Sequence, residues 1–263
     1  MHPSSKAQFV AAIALLALAG CGGGGGGGGS SGSTSAPVVN ASPGGIWQGR
    51  DPFNASSTLL GVVTETGEAY FMNLTDGAQS FGTVSTVGNS LSGTYTTVLP
   101  YGRVYTDGST QATGSASGTV AQRSSLTVTF NSVTTKGFAS TASGTFTYNS
   151  LYSIGSSLST IAGNYRDTTT GATINVSSAG VIYSQDPVTG CVLNGAVSII
   201  NASYNAYRLS YTFSSCRAPN TYLNNTTATG LGVYDNTTNP VRVIIGVLNK
   251  SAAYSLVGIY PKA

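Results

Sequence analysis

Residues able to do chemistry are scarce in this chain, and the scarcity is informative. Its one histidine is His2, in a segment that reads below as a removable leader. Ser-His-Asp and Cys-His nucleophile arrangements, and histidine-based zinc sites, therefore have no imidazole to draw on. Eight acids remain: Asp51, Glu65, Glu68, Asp76, Asp107, Asp167, Asp186 and Asp235. A glycosidase needs two carboxyl groups facing one cleft, and nothing in this spacing requires that. Glu65 and Glu68 flank a hairpin turn at Gly67, where solvated acids are ordinary, and Asp186-Pro187 reads as another turn. The chain is expected to be no enzyme, and to need no metal or cofactor. Three cysteines, Cys21, Cys191 and Cys216, carry what chemistry is left.

The first of these closes an apolar run. Lys6 supplies a positive start, and residues 9–19 fall within the 7–15 residues usual for the apolar part of a signal peptide, too short to span a bilayer. The run ends in Leu18-Ala19-Gly20-Cys21, two small residues and a lone cysteine. This tetrapeptide resembles the lipobox of bacterial lipoproteins. The resemblance implies that residues 1–20 are cut away, that diacylglycerol is joined to the Cys21 thiol, and that the new amino terminus is acylated. Cys21 is then the membrane contact, and two or more chains hold it stably, at about 0.8 kcal/mol per buried CH₂. Gly22, where enteric bacteria use Asp to retain a lipoprotein in the inner membrane, implies the outer membrane.

Residues 21–43 read as a tether. Eight glycines follow Cys21 and a Ser/Gly/Thr run follows them, with little to bury and a large ordering entropy. A flexible coil of that length spans roughly 25–29 Å. Losing Lys6 with the leader leaves ten basic residues against eight acids and no basic run, so nucleic acid is not an expected partner. With Cys21 assigned to lipid, Cys191 and Cys216 remain as a pair in a compartment that permits disulfides. Strand-like runs 191–200 and 204–215 fold back about Asn201-Ala202-Ser203, which sets the two cysteines opposite each other at the hairpin's open end. The alternative, two free thiols acting as a metal or redox pair, has few other ligands to call on.

These pairings need strands to position them. About 220 residues remain to fold, poor in charge and rich in Thr, Ser, Gly, Val and Tyr, the composition of short strands joined by tight turns. An internal repeat divides them. Gly45-Ile46-Trp47 answers to Gly163-Asn164-Tyr165, Thr66-Gly67-Glu68 to Ala179-Gly180-Val181, Gly82-Thr83-Val84 to Gly195-Ala196-Val197, and Ala112-Thr113-Gly114 to Ala228-Thr229-Gly230. Each copy offers eight strand candidates, at 45–51, 58–64, 68–74, 79–86, 89–98, 112–121, 124–131 and 141–148, then at 163–168, 172–177, 180–186, 191–200, 205–214, 226–235, 241–248 and 253–260. The longest connection of each copy follows its fifth strand. The expected architecture is all-β: two consecutive small antiparallel eight-stranded up-and-down barrels, 44–150 and 163–263, joined by a linker 151–162 whose Leu151, Ile154, Leu158 and Ile161, at helix-like spacing, form a short helical turn lidding the barrel mouth. Each half is expected to close its own core and melt by itself.

Gly-x-Trp on the first strand, preceded by a short lidding segment, resembles the calycin superfamily of lipocalin-like barrels, and the eight-stranded barrels of bacterial surface lipoproteins look similar too. The resemblance implies a fold and transfers no ligand. Trp47 and Tyr165 are expected to plug their barrels, with Arg50 and Arg166 stacked on them or closing the barrel end. Among loop residues, Tyr101, Tyr105, Tyr152 and Tyr222 are expected to be exposed. The functions open to such a chain are binding or adhesion at the cell envelope, a structural or assembly role there, or carriage of a small ligand. A carrier needs an inward-lined cavity, and a partner-binding protein an exposed loop face.

Overall fold

The structure, a computed structural model, describes residues 39–168, 171–249 and 254–263. Cys21, its leader and the glycine run lie outside the described residues. The chain is already fixed at the end of the expected tether, because Ala41 N–H donates to Gly88 O (2.9 Å) and Gly88 N–H to Asn40 Oδ1 (2.9 Å).

The first eight strands are β1 (Gly45–Asp51), β2 (Asn54–Val63), β3 (Glu68–Asn73), β4 (Gln79–Val87), β5 (Ser90–Val98), β6 (Gln111–Ala121), β7 (Ser125–Thr134) and β8 (Ala139–Asn149). Each pairs antiparallel with the next, and β1 pairs with β8 to close the barrel. Closure leaves no edge to template aggregation. Trp47, Leu91, Val120, Leu126, Val128 and Phe146 fill the interior toward the end where β1 begins, the base. Glycines thin the wall where rings fill the lumen: a Cβ on Gly61 would meet the Phe71 ring at 2.5 Å. The outward positions of β5 to β8 carry Ser and Thr where many proteins carry charge, with Thr129 and Ser143 hydroxyls bonded across strands at 2.8 Å. That wall is why so long a sheet contains so few charged residues.

The second eight are β9 (Gly163–Arg166), β10 (Thr173–Val176), β11 (Val181–Gln185), β12 (Val192–Ile199), β13 (Tyr207–Ser214), β14 (Thr227–Asp235), β15 (Arg242–Asn249) and β16 (Tyr254–Pro261). They form a meander that is nearly closed, its ends joined by a Tyr165–Lys262 bridge and by Ala263 N–H donating to Asn164 O (2.8 Å). The repeat is physical as well as textual. Trp47 Nε1 donates to the carbonyl four residues before it, Pro43 (3.0 Å), and Tyr165 OH to the carbonyl four residues before it, Ile161 (2.7 Å). Gly67 and Gly180 both turn at positive φ, and their carbonyls accept from Val84 (2.8 Å) and Val197 (2.7 Å). Any side chain on either glycine would run into the carbonyl of that same valine. Arg50 and Arg166 depart from expectation: alternation along their strands turns them outward and exposed, on the opposite face from Trp47 and Tyr165.

A 3₁₀ turn at Ser150–Ser153 and the one-turn helix α1 (Leu158–Ile161) make the linker. Ser157 caps α1 by accepting from Thr160 N–H. Leu158 and Ile161 pack onto the interior of the second barrel at its base, the end opposite the mouth that the linker is expected to lid, while Leu151 packs in the cluster between the barrels. Cys191 and Cys216 are joined in a disulfide, Cys191 one residue and Cys216 two residues beyond the last β12–β13 pair, Val192–Ser214.

The two barrels share a core. Leu60, Val62, Tyr70 and Met72 on the outside of β2 and β3 pack with Leu231, Val233, Ile244 and Leu248 on the outside of β14 and β15. Tyr152, stacked on Tyr204 at 4.8 Å, is buried in the same cluster. Arg208 forks both carboxylate oxygens of Glu68 across the junction, so Glu68 is not the free solvated acid that its turn position implied. Splitting the chain at the linker would expose this apolar face, which argues against independent melting of the halves.

Candidate binding site at the mouth of the first barrel

The lumen of the first barrel changes character along its axis. Aliphatic residues pack the base, the rings of Phe71, Tyr95, Phe130 and Phe146 cross the middle, and at the far end the inward positions fall to Ser80, Thr97, Ser132 and Ser140. The rings meet edge to face, Tyr95 to Phe130 at 5.6 Å and Phe71 to Phe146 at 5.4 Å, and form a firm floor. Small hydroxyl side chains above that floor do not fill the lumen. What remains is a cavity of about 410 Å³, open at the end where the β1–β2, β3–β4, β5–β6 and β7–β8 connections meet.

The long β5–β6 connection, residues 99–110, forms one side of this mouth. Its own turn is held by Tyr105 N–H donating to Ser109 O and Gly108 N–H to Tyr105 O, both at 2.8 Å. Asp107 ties it to the β7–β8 turn: Thr134 Oγ1 donates to its carboxylate, and Lys136 Nζ donates to its carbonyl at 2.9 Å. The Thr134 hydroxyl holds the Asp107 carboxyl below the ordinary carboxylate range, with Ser109 and Lys136 adding to the effect. Anchored this way, Tyr105 lies half-buried in the cavity wall. Burial, with the neighbouring Tyr95 ring and the Asp51 and Asp76 carboxylates adding, pushes its phenol up to about 12. It stays a neutral hydrogen-bond donor at physiological pH.

Two acids line the same cavity. Asp51 accepts from Phe53 N–H (2.9 Å) and Asn73 Nδ2 (2.9 Å), and Asp76 accepts from Ala78 N–H (2.9 Å). Burial raises the Asp51 carboxyl above its ordinary value and the Asp76 charge raises it further, against the pull of the Phe53 and Asn73 donors. Among the described residues, no lysine or arginine lines the cavity. Around the opening Phe53, Val104 and Phe138 are 50–60% exposed, an apolar rim drawn from three separate connections.

The second barrel offers no equivalent. Its interior holds Tyr165, Ile182, Leu209, Tyr211 and Val247 around a void of about 50 Å³. The disulfide and Leu223 pack into the end that corresponds to the first barrel's mouth.

Of the loop tyrosines, Tyr101 is exposed, Tyr105 faces the cavity, and Tyr222 is half-buried with its ring stacked on Tyr101. Tyr152 corrects the expectation, at 2% exposure, because the linker is pressed between the barrels. Trp47 and Tyr165 are buried in their barrels as expected. Sequence reasoning missed the convergence of Asp51 and Asp76. The signal was present: in an up-and-down meander the first and third connections lie at the same end, and these acids occupy those two turns.

No protein-family profile matches the sequence, and no curated protein does. Among solved structures, "Aeromonas veronii immune modulator A" is similar over 86% of this chain and 97% of that chain, with 12% identity and a TM-score of 0.35. At that level the likeness carries no argument about function.

Proposed function

We propose that this is a non-enzymatic binding protein of the cell envelope, tethered through a lipidated Cys21 to the outer membrane, which takes a small amphipathic ligand into the mouth of its first barrel. The observation that carries the reading is the ring-floored cavity with its exposed apolar rim, beside a second barrel whose described interior holds a void of only about 50 Å³. Concave, partly apolar sites with a few convergent polar groups are where small molecules bind. The second barrel serves as a rigid support, joined by the shared core and the Arg208–Glu68 fork. Of the functions open from the sequence, small-ligand binding gains most from this arrangement.

Two experiments test the halves of the proposal. Titration with N-phenyl-1-naphthylamine, an uncharged amphipathic fluorophore, should saturate at one site per chain. Ser140→Phe, which fills the mouth from an inward position, should weaken it by about tenfold or more. Unchanged binding in that variant would refute the mouth as the site. For the anchor, the mature protein should carry acyl mass on Cys21 and partition into detergent, and Cys21→Ser should lose both.

A further inference from the structure

We infer that the ligand of the first-barrel mouth is an organic cation, an ammonium group carried on an apolar body. The inference rests on the mouth being a ligand site and adds the charge of what enters it. Two carboxylates in turns would be ordinary on their own; here a cavity of about 410 Å³ lies beside them, walled by Tyr95, Tyr105 and Phe130. Aromatic faces attract a cation through their quadrupole, and more so where water is displaced. Asp51 and Asp76 supply the opposite charge, and neither has an ion-pair partner among the described residues. The donors that Asp51 does have, the Phe53 amide and the Asn73 side chain, are neutral.

The described bases nearby do not compensate. Lys136 is exposed and donates to the Asp107 carbonyl, and Arg103 is exposed on the 99–110 connection; neither lines the cavity. Among the described residues, an anion entering the mouth would meet two carboxylates and no base. A neutral guest would leave a partly buried Asp51 as costly to ionise as before, whereas a cation offsets that cost. The hydroxyls of Ser80, Ser132 and Tyr105 give an ammonium group acceptors.

The test uses three probes that share one ring and differ in charge: 2-phenylethylamine, 2-phenylethanol and 3-phenylpropanoate, titrated calorimetrically into the full mature protein. The amine should bind about tenfold or more tighter than the alcohol, and the acid more weakly than either. Asp76→Asn keeps the oxygen that accepts from Ala78 and should close most of the gap between amine and alcohol while sparing the alcohol's own affinity. Alcohol and amine binding equally to the unaltered protein would overturn the inference. So would a gap that survives both Asp76→Asn and Asp51→Asn. If alcohol and amine bind equally and Ser140→Phe abolishes both, the mouth site stands and its charge preference falls. If Ser140→Phe changes none of the three, the mouth reading falls with the inference.

Discussion

Tyr101 and Tyr222 lie face to face, ring centroids 4.9 Å and planes 19° apart, so the longest connection of each barrel rests on that of the other. The stack holds residues 99–110, which carry Tyr105 into the cavity, in addition to the Asp107–Thr134 tie. The second barrel thereby helps to shape a site it does not itself contain.

Removing that brace should affect binding more than folding. An aromatic pair contributes about 0.5–1.5 kcal/mol beyond its buried area, and this one is partly solvated. Tyr222→Ala is expected to cost no more than about 1 kcal/mol in denaturant unfolding yet weaken fluorophore binding severalfold. Tyr183→Ala, on the outer wall of the second barrel, should do neither. Equal binding in the two variants would remove the role assigned to the stack.

Gln79 is 1% exposed in the junction between the barrels, and neither atom of its amide has a partner among the described residues. A buried polar group left unpaired costs about 1–3 kcal/mol. Gln79→Met, close in shape and apolar, should therefore raise the unfolding free energy by about 1–2 kcal/mol. Gly246→Ala should lower it, since a Cβ there would run into Gln79 and Met72. A loss of stability in Gln79→Met would show that the amide is satisfied after all.

Reduction of Cys191–Cys216 opens a loop with a sequence separation of 25, which on the loop-entropy account is worth roughly 3 kcal/mol. Because the second barrel shares its outer core with the first, the whole folded unit should melt earlier as one transition. Two separated transitions after reduction, with the first unmoved, would show that the junction couples the barrels weakly.

Asp235 predicts the acid limb. Burial pushes its carboxyl up, but the Thr237 hydroxyl and amide and the Arg242 guanidinium, at 2.6, 3.0 and 2.9 Å, outweigh burial and leave it lowered. A folded-state value below the unfolded one means that its contribution is present above about pH 4 and is lost as pH falls through the folded value. Asp51 runs the other way: its raised carboxyl makes ionisation costly, so moderate acidification relieves the first barrel. Asp235→Asn should lower stability at pH 5 to 7, where the carboxylate contributes, and flatten the loss of stability below about pH 4. An unchanged acid limb would contradict this assignment.

Much of this was readable in the chain. Strand positions and the disulfide follow from alternation and turn residues, with local departures that have local causes. β13 begins at Tyr207 because Asn205 bonds the Tyr234 backbone through its side chain, accepting at 3.0 Å and donating at 2.7 Å, in place of main-chain pairing. β2 begins at Asn54 because the register shifts between Arg50 and Asp51. The shared core was also signalled: Leu59-Leu60-Gly61-Val62-Val63 and Val243-Ile244-Ile245-Gly246-Val247-Leu248 are apolar on both faces, the mark of strands buried on both sides. The depth of the mouth was not legible, because it depends on four small inward residues from separate strands meeting at one level of the barrel.

The most direct test of the central claim is an NMR titration of the mature protein with ¹³C-labelled tyrosine rings and N-phenyl-1-naphthylamine. Tyr95 and Tyr105, in the cavity wall, should shift and saturate together, while Tyr165 and Tyr207, inside the second barrel, should stay in place. Shifts confined to second-barrel tyrosines, with Tyr95 and Tyr105 unmoved, would contradict a binding site in the first-barrel mouth.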